Sequence, residues 1–241
     1  MNAAIQASRT ELLIATLARL LTGCRHVAVG QSSPIHGSGA LLARKLSGGA
    51  LHVSVLGSRR NNFFTDGGVE LFDLAAQGRI DAFFLGGGQI DGEGNINLVG
   101  VRDEVRWPGS YGSAYLYFLV PRVILFREEH TRRALVPKVD FVSAPGSSAA
   151  HTFRPGGPHA LLTGLALFSF DRARKRFRLE SVHPGHTVEE VRDETGFDFE
   201  CPPAVPATAA PTAAELAPIR GEIRAQIAEV YPRFAITLAA A

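Results

Sequence analysis

The chain has 241 residues, 46% of them hydrophobic and 20% charged, and a formal net charge of +2. That length suits one large α/β domain, and the near-neutral balance offers no basic surface for nucleic acid. Cys24 and Cys201 stand far apart without C-x-x-C spacing, so they read as reduced thiols of a cytoplasmic protein, not as a disulfide framework.

Ser8-Arg9-Thr10-Glu11 fits a capping box and opens a helix expected over Thr10–Leu21. Glu11 precedes the apolar stretch, Arg19 interrupts it and no cleavage pattern follows, which argues against a signal peptide. No run reaches the ~20 apolar residues of a membrane span. His26–Val29 reads as a strand ending at Gly30, followed by a loop with Pro34, Gly37 and Gly39 and a helix over Ala40–Leu46. Leu51–Leu56 is the next strand, and Val69–Gln77 is a helix stopped by Gly78. Ile80–Leu85 is a short apolar run feeding Gly86-Gly87-Gly88, the pattern of a buried parallel strand where the chain turns. Glycines let a backbone turn sharply and come close to a ligand. Ligands of open α/β sheets bind beyond the carboxyl ends of the strands.

Three other readings of this segment compete. A dinucleotide fingerprint G-x-G-x-x-G needs a last glycine at the sixth position, where Gly86-Gly87-Gly88-Gln89-Ile90-Asp91 has Asp91. A calcium loop on Asp91, Glu93 and Asn95 would have Ile96 at its sixth position and Arg102 at its twelfth, where Gly and Glu are required. A plain structural turn is the remaining competitor. Farther on, Arg122–Leu125, Val139–Val142, Leu161–Phe170 and Phe177–Val182 are strand-like, with few helices between them. The alternation predicts an α/β fold: a single α/β/α domain over residues 1–241 with a largely parallel sheet and a β-rich second half. A Pro/Ala-rich linker over residues 201–211 leads to a C-terminal helix over Ala213–Val230.

The run Gly86–Asn97, GGGQIDGEGNIN, resembles the G-x-x-Q-[IV]-D-x-x-G-N-x-N signature of the β subunits of family I CoA transferases, such as glutaconate CoA-transferase. Three further matches follow in order. Gly109-Ser110-Tyr111-Gly112 resembles a Gly-Ser-Gly-Gly-like loop, and Lys138–Gly146 resembles a K-[IV]-D-[FY]-[VL]-[TS]-S-P-G run. His183-Pro184-Gly185, Thr187–Val191 and Thr195-Gly196-Phe197 resemble the C-terminal segment. The resemblance implies the CoA-transferase fold, a coenzyme A thioester (acyl-CoA) as substrate with no bound cofactor, and an α-type CoA-transferase subunit as partner in an αβ heterodimer or (αβ)2. Neither nucleic acid nor membrane is expected as a partner.

One departure bears on the chemistry. The family's β subunits carry a nucleophilic glutamate at a strand end, and Leu56 stands about where it belongs; no Asp or Glu occurs between residues 12 and 65. Leucine cannot attack a thioester, so either transferase chemistry is lost or a partner supplies the carboxylate. The ring-opening hydrolases of steroid catabolism, a branch of the family, carry their glutamate on the α subunit. Their β subunits are matched by Ser181–Gly185 and by the missing third glycine of the Gly109–Gly112 loop. A non-catalytic acyl-CoA-binding or structural subunit is the third reading.

The catalytic residue is therefore left unassigned. The backbone N–H groups of the loops formed by Gly86, Gly87 and Gly88 and by Gly109, Ser110, Tyr111 and Gly112 are candidates to hold the thioester carbonyl or an oxyanion. Gln89 and Asn95 are candidates to donate oriented amide hydrogen bonds. Arg172–Arg178 either grips CoA phosphates or forms a solvated hairpin tip, and the tip is the expected reading. His183 and His186 lack a third ligand, so no metal is expected. Gly30–Pro34 lacks the second glycine of a nucleophile elbow. Glu70 reads as a helix N-terminal cap and not as a nucleophile. Trp107 walls a pocket or packs in a core; the sequence leaves both open.

Overall fold

A computed structural model describes residues 7–101 and 104–238; Arg102, invoked against the calcium loop, lies outside them. The chain, expected as one domain, packs as two compact units. One comprises Met1–Leu71, Ile80–Ala82 and Ala209–Ala241, the other Phe72–Arg79 and Phe83–Thr208.

In the first unit, α1 (Arg9–Leu20) starts at the capping box: Glu11 N–H donates to Ser8 Oγ and Ser8 N–H to the Glu11 carboxylate. Its apolar face, with Leu13, Ile14 and Leu17 fully buried, packs on α2 (Pro34–Leu46). The strands β1 (His26–Val29) and β2 (His52–Val55) run parallel, with Val27 also beside Ala82.

The expected loop around Pro34, Gly37 and Gly39 is helical instead. Pro34 sits in the first turn, where its missing N–H is not needed. Gly39 is bare because a Cβ there would lie 2.8 Å from Leu17 Cβ, so the glycine lets α2 approach α1 closely. The Glu11 carboxylate, fully buried, also accepts from the Arg220 guanidinium. Burial pushes its pKa up, but the Arg220 and Ser8 hydrogen bonds outweigh that and leave it lowered.

The helix expected over Ala213–Val230 is interrupted. Pro218 has no N–H to donate, and a π-helical turn over Ile219–Ile223 follows it before regular helix resumes at Arg224–Ile227. The helix α3 (Gly67–Ala76) begins in the first unit, and the Glu70 carboxylate accepts from Thr65 N–H, Thr65 Oγ1 and Asp66 N–H. These hydrogen bonds, Thr65 first, lower its pKa. Glu70 is a cap in this geometry.

The strand β3 (Ala82–Leu85) leads into the second unit, where its buried Phe83, Phe84 and Leu85 neighbour β8 (Arg122–Arg127). Between them lie the hairpin β4 (Gln89–Ile90) and β5 (Ile96–Asn97), the hairpin β6 (Gly100–Val101) and β7 (Val105–Arg106), and α4 (Ser113–Leu119). β8 pairs parallel with β9 (Pro158–Thr163); β9, β10 (Ala166–Asp171) and β11 (Arg176–Val182) are antiparallel. The pairs β1–β2 and β8–β9 are thus parallel, while β9–β10, β10–β11 and the two short hairpins are antiparallel. The expected run Leu161–Phe170 is two strands, broken at Gly164-Leu165.

Two further expectations are corrected. Val139–Val142 is not a strand; the side chains of Asp91 and Gln89 hold its backbone in place of a ladder. The 201–211 stretch is tied down over its first part, with Val182 N–H donating to Pro206 O and Thr208 N–H to Val182 O. α5 (Val188–Glu194), capped by Thr187, closes the unit. No helix among the described residues is long and apolar enough to cross a membrane.

Candidate active site

The Gly86–Asn97 motif lies wholly in the second unit and folds into a polar clamp. The Asp91 carboxylate accepts from Glu93 N–H at 3.1 Å, Asn95 N–H at 3.0 Å, Asn95 Nδ2 at 3.1 Å and Val139 N–H at 3.4 Å. Asn95 Oδ1 accepts from Gly146 N–H at 3.0 Å. Gln89 Oε1 accepts from Asn97 Nδ2 at 2.8 Å and Asp140 N–H at 3.0 Å, and Gln89 Nε2 donates to Asp140 Oδ2 at 2.6 Å. Ser143 Oγ accepts from Leu98 N–H at 2.8 Å. The Lys138–Gly146 segment is therefore bound to the glycine motif by the motif's own side chains. Gln89 and Asn95, candidates for donating to substrate, each have these protein partners.

The clamp presents the two glycine loops together. Gly86, exposed, ends β3, and a Cβ there would come 3.1 Å from Phe126 O. Gly87 leaves no room for a side chain, since a Cβ would meet the Ile96 methyl at 2.4 Å. Its carbonyl accepts from Arg127 Nη1 at 3.3 Å, and nothing among the described residues accepts from its N–H. A Cβ on Gly88 would lie 2.0 Å from Trp107 Cη2. Space, not a positive φ, requires glycine at 87 and 88.

Gly88 N–H donates to Asn97 O at 3.0 Å and Gly109 N–H to Leu98 O at 3.1 Å, so these two loop donors are engaged within the chain. Gly109 has φ +99° and Tyr111 φ +44°, a left-handed conformation that a tyrosine adopts at a cost. Ser110 O receives the N–H of Ser113, and Gly112 packs so closely on Phe72 that a Cβ would sit 2.1 Å from the ring. Tyr111, 90% exposed, and Tyr115 both pack against Phe72.

Sequence reasoning missed Asp91, Asn97 and Asp140 as the clamp's partners and Arg127 as the brace on Gly87. Arg127 is itself paired with Glu129, which also binds Arg133. Burial pushes the Glu129 carboxyl up, but Arg133, Arg127 and Thr131 hold it down at about 2. Trp107, for which the sequence allowed either a pocket wall or a core, packs on Gly88.

The other tempting residues resolve structurally. The segment Arg172–Lys175 is the tip joining β10 to β11. Arg172 reaches the carbonyls of Pro155 and Pro121, while Arg174 and Arg178 pair with Glu200. His183 is buried between Thr208 Oγ1 and Thr163 O, and His186 pairs with Glu190. No group of metal-binding side chains exists among the described residues. In the first unit, Leu56 follows β2; its N–H donates to Val29 O at 3.0 Å, and Gly57 turns the chain at φ +89°.

A model of the family described as Coenzyme A transferase matches residues 6–194. The B-type subunit of 3-oxoadipate CoA-transferase from Pseudomonas knackmussii is 31% identical over 217 residues, which is 86% of this chain and 80% of that protein. The cholesterol ring-cleaving hydrolase IpdB subunit of Rhodococcus jostii is 29% identical over 63% of this chain and 62% of its own length. The crystal structure of glutaconate coenzyme A-transferase from Acidaminococcus fermentans superposes with a TM-score of 0.79 at 23% identity, covering 91% of this chain and 96% of that one. This last likeness establishes the fold.

Proposed function

The chain belongs to the coenzyme A transferase family, resembling its B-type members, and from that premise we propose that it is the β-type subunit of a heteromeric enzyme acting on acyl-CoA thioesters, completed by an α-type partner that supplies the catalytic carboxylate. The observation that carries this reading is Leu56. It stands at the end of β2, where the resemblance calls for a glutamate, in a stretch without any acid from residue 12 to residue 65. Glu70, one of the nearest downstream carboxylates, is engaged as the cap of α3.

The chain's own share of the site is the Gly86–Gly88 and Gly109–Gly112 backbone. The Gly87 N–H has no acceptor among the described residues. A backbone donor fixed in this way would stabilise the negative charge that develops on a thioester carbonyl under attack. Gln89 and Asn95 contribute by holding the loop that carries it. No bound cofactor beyond the thioester is invoked, and the assembly is αβ or (αβ)2.

Hydrolysis, in place of transfer, is the second reading. The absent glutamate favours it, as does the relative named as a ring-cleaving hydrolase. Both readings place the covalent or basic carboxylate on the partner. The co-purified complex is incubated with short-chain acyl-CoA thioesters, treated with hydroxylamine and analysed by intact-mass spectrometry. This chain is expected to remain unmodified. A hydroxamate on Asp66 or Glu70 would place the nucleophile here and overturn the proposal.

A further inference from the structure

We infer that Trp107 is a positioning residue that locks the two glycine loops to one another. Three consecutive carbonyls form a rail: Asn97 O receives Gly88 N–H at 3.0 Å, Leu98 O receives Gly109 N–H at 3.1 Å, and Val99 O receives Trp107 N–H at 2.9 Å. The rail is fixed from its other side. Asn97 Oδ1 accepts from the N–H groups of Val99 at 3.0 Å and Gly100 at 3.3 Å, and Leu98 N–H is held by Ser143 Oγ. Trp107 hangs from this rail two residues before Gly109, and its ring reaches back over Gly88. The ring atoms Cη2, Cζ2 and Cζ3 would lie 2.0, 2.3 and 2.3 Å from a Cβ on Gly88. The side chain thus covers the α-carbon of the first loop while its backbone sets the start of the second.

A backbone hydrogen bond alone leaves each loop free to peel off the rail. An indole seated on Gly88 removes that freedom, because Gly88 cannot lift without displacing a large, two-torsion side chain tied to Gly109. A donor aimed at a developing charge must be preorganised to be effective, and here the aromatic side chain supplies the rigidity that a glycine-rich backbone lacks. The inference rests on the proposed function for its catalytic meaning, while the coupling of the loops stands by itself.

Trp107 is the single tryptophan of the chain, so it also reports on its own surroundings. Hydrogen exchange by mass spectrometry is followed for peptides spanning residues 86–99 and 107–112 in the full chain and in Trp107→Phe and Trp107→Ala. The alanine variant is expected to exchange at least tenfold faster at both loops together, and the phenylalanine variant to retain most of the protection. Unchanged exchange at either loop in a folded Trp107→Ala protein overturns the inference.

In the second arm, CoA is titrated into the complex, with binding read by calorimetry and the Trp107 signal taken as the emission difference between wild type and Trp107→Phe. A shift in that difference on binding is expected. CoA that binds without moving it overturns the placement of Trp107 at the site, while the proposed function stands. Absence of CoA binding removes the proposed function, and the exchange arm alone then decides the coupling.

Discussion

Replacing Asp91 by asparagine alters one atom of the motif and reverses the polarity of half its hydrogen bonds. Asp91 is 3% exposed, and its two oxygens each serve two N–H donors: Glu93 and Asn95 backbone on Oδ1, the Asn95 amide and Val139 backbone on Oδ2. Whichever way the new amide is flipped, its NH2 group faces one of these donor pairs. Two donors then lose their acceptor and meet a donor instead. A buried donor left unsatisfied costs about 1–3 kcal/mol, and the 3.4 Å Val139 contact belongs at the weak end of that range. The expected loss is about 2–5 kcal/mol, a large part of a typical folding free energy. Urea denaturation reads it as a lower midpoint with an unchanged slope. A variant within about 0.5 kcal/mol of wild type, the range of an ordinary surface change, would refute the clamp.

Gly88→Val forces the Trp107 ring to move, because even the first added carbon falls 2.0 Å from it; overpacking of this kind costs about 1–3 kcal/mol. A thermal melt should show the loss and a Trp107→Ala second change should recover part of it; a wild-type melting temperature for Gly88→Val contradicts the contact. In the folded, assembled enzyme the same change should displace the neighbouring Gly87 N–H proposed as the oxyanion donor and lower turnover by about 10²–10³, the effect of losing such a donor. Arg174→Ala breaks only exposed pairs with Asp171 and Glu200 and should change turnover less than about threefold, as most surface substitutions do; the opposite ranking would move the CoA grip to the hairpin. His130 is buried between Thr163 Oγ1 and Thr195 Oγ1, and desolvation lowers its pKa from 6.5 to about 4. The unfolded chain binds the proton first as pH falls, so this contribution is complete above about pH 6.5 and lost on acidification towards pH 4, a span of about 3 kcal/mol. Buried His36, lowered by desolvation to about 3, adds a slope of the same sign, so urea titrations from pH 7 to 4 should show a shallower slope in His130→Gln than in wild type, and equal slopes would refute the assignment.

What could be read from the chain alone was what depends on near neighbours in sequence. The capping box at Ser8 and Glu11 closes within one helical turn, so its letters suffice. The strand ends at Val29 and Leu85 are marked by the glycines that follow them. Gly37 and Gly39 misled because their purpose is a distant surface: Leu17 and Ile227 press where a side chain would stand, and in a sequence both glycines look like a loop. Val139–Val142 misled for the opposite reason. Its β-branched and aromatic residues suit a strand, yet the N–H groups of Val139 and Asp140 are taken by the side chains of Asp91 and Gln89. Those hydrogen bonds span 48 and 51 positions of the chain, a separation at which no local pattern distinguishes the two arrangements.

The same geometry changes what the motif signifies. A stretch dense in Gln, Asp and Asn beside glycines invites a catalytic reading, because polar side chains near a strand end are the usual carriers of chemistry. Here those side chains bind one another and the Lys138–Gly146 backbone, and a half-satisfied network of buried polar groups is costly, so the members stand or fall together. Such a motif identifies the scaffold with high specificity and by itself assigns no reaction. Outside it, at the end of β2, stands Leu56, the residue on which the proposal of a partner-supplied carboxylate rests. In the proposed function the clamp contributes a backbone donor, and the end of β2 contributes no nucleophile. The case for a partner subunit rests on that incompleteness, and a carboxylate delivered from outside would need no change in any residue of the clamp.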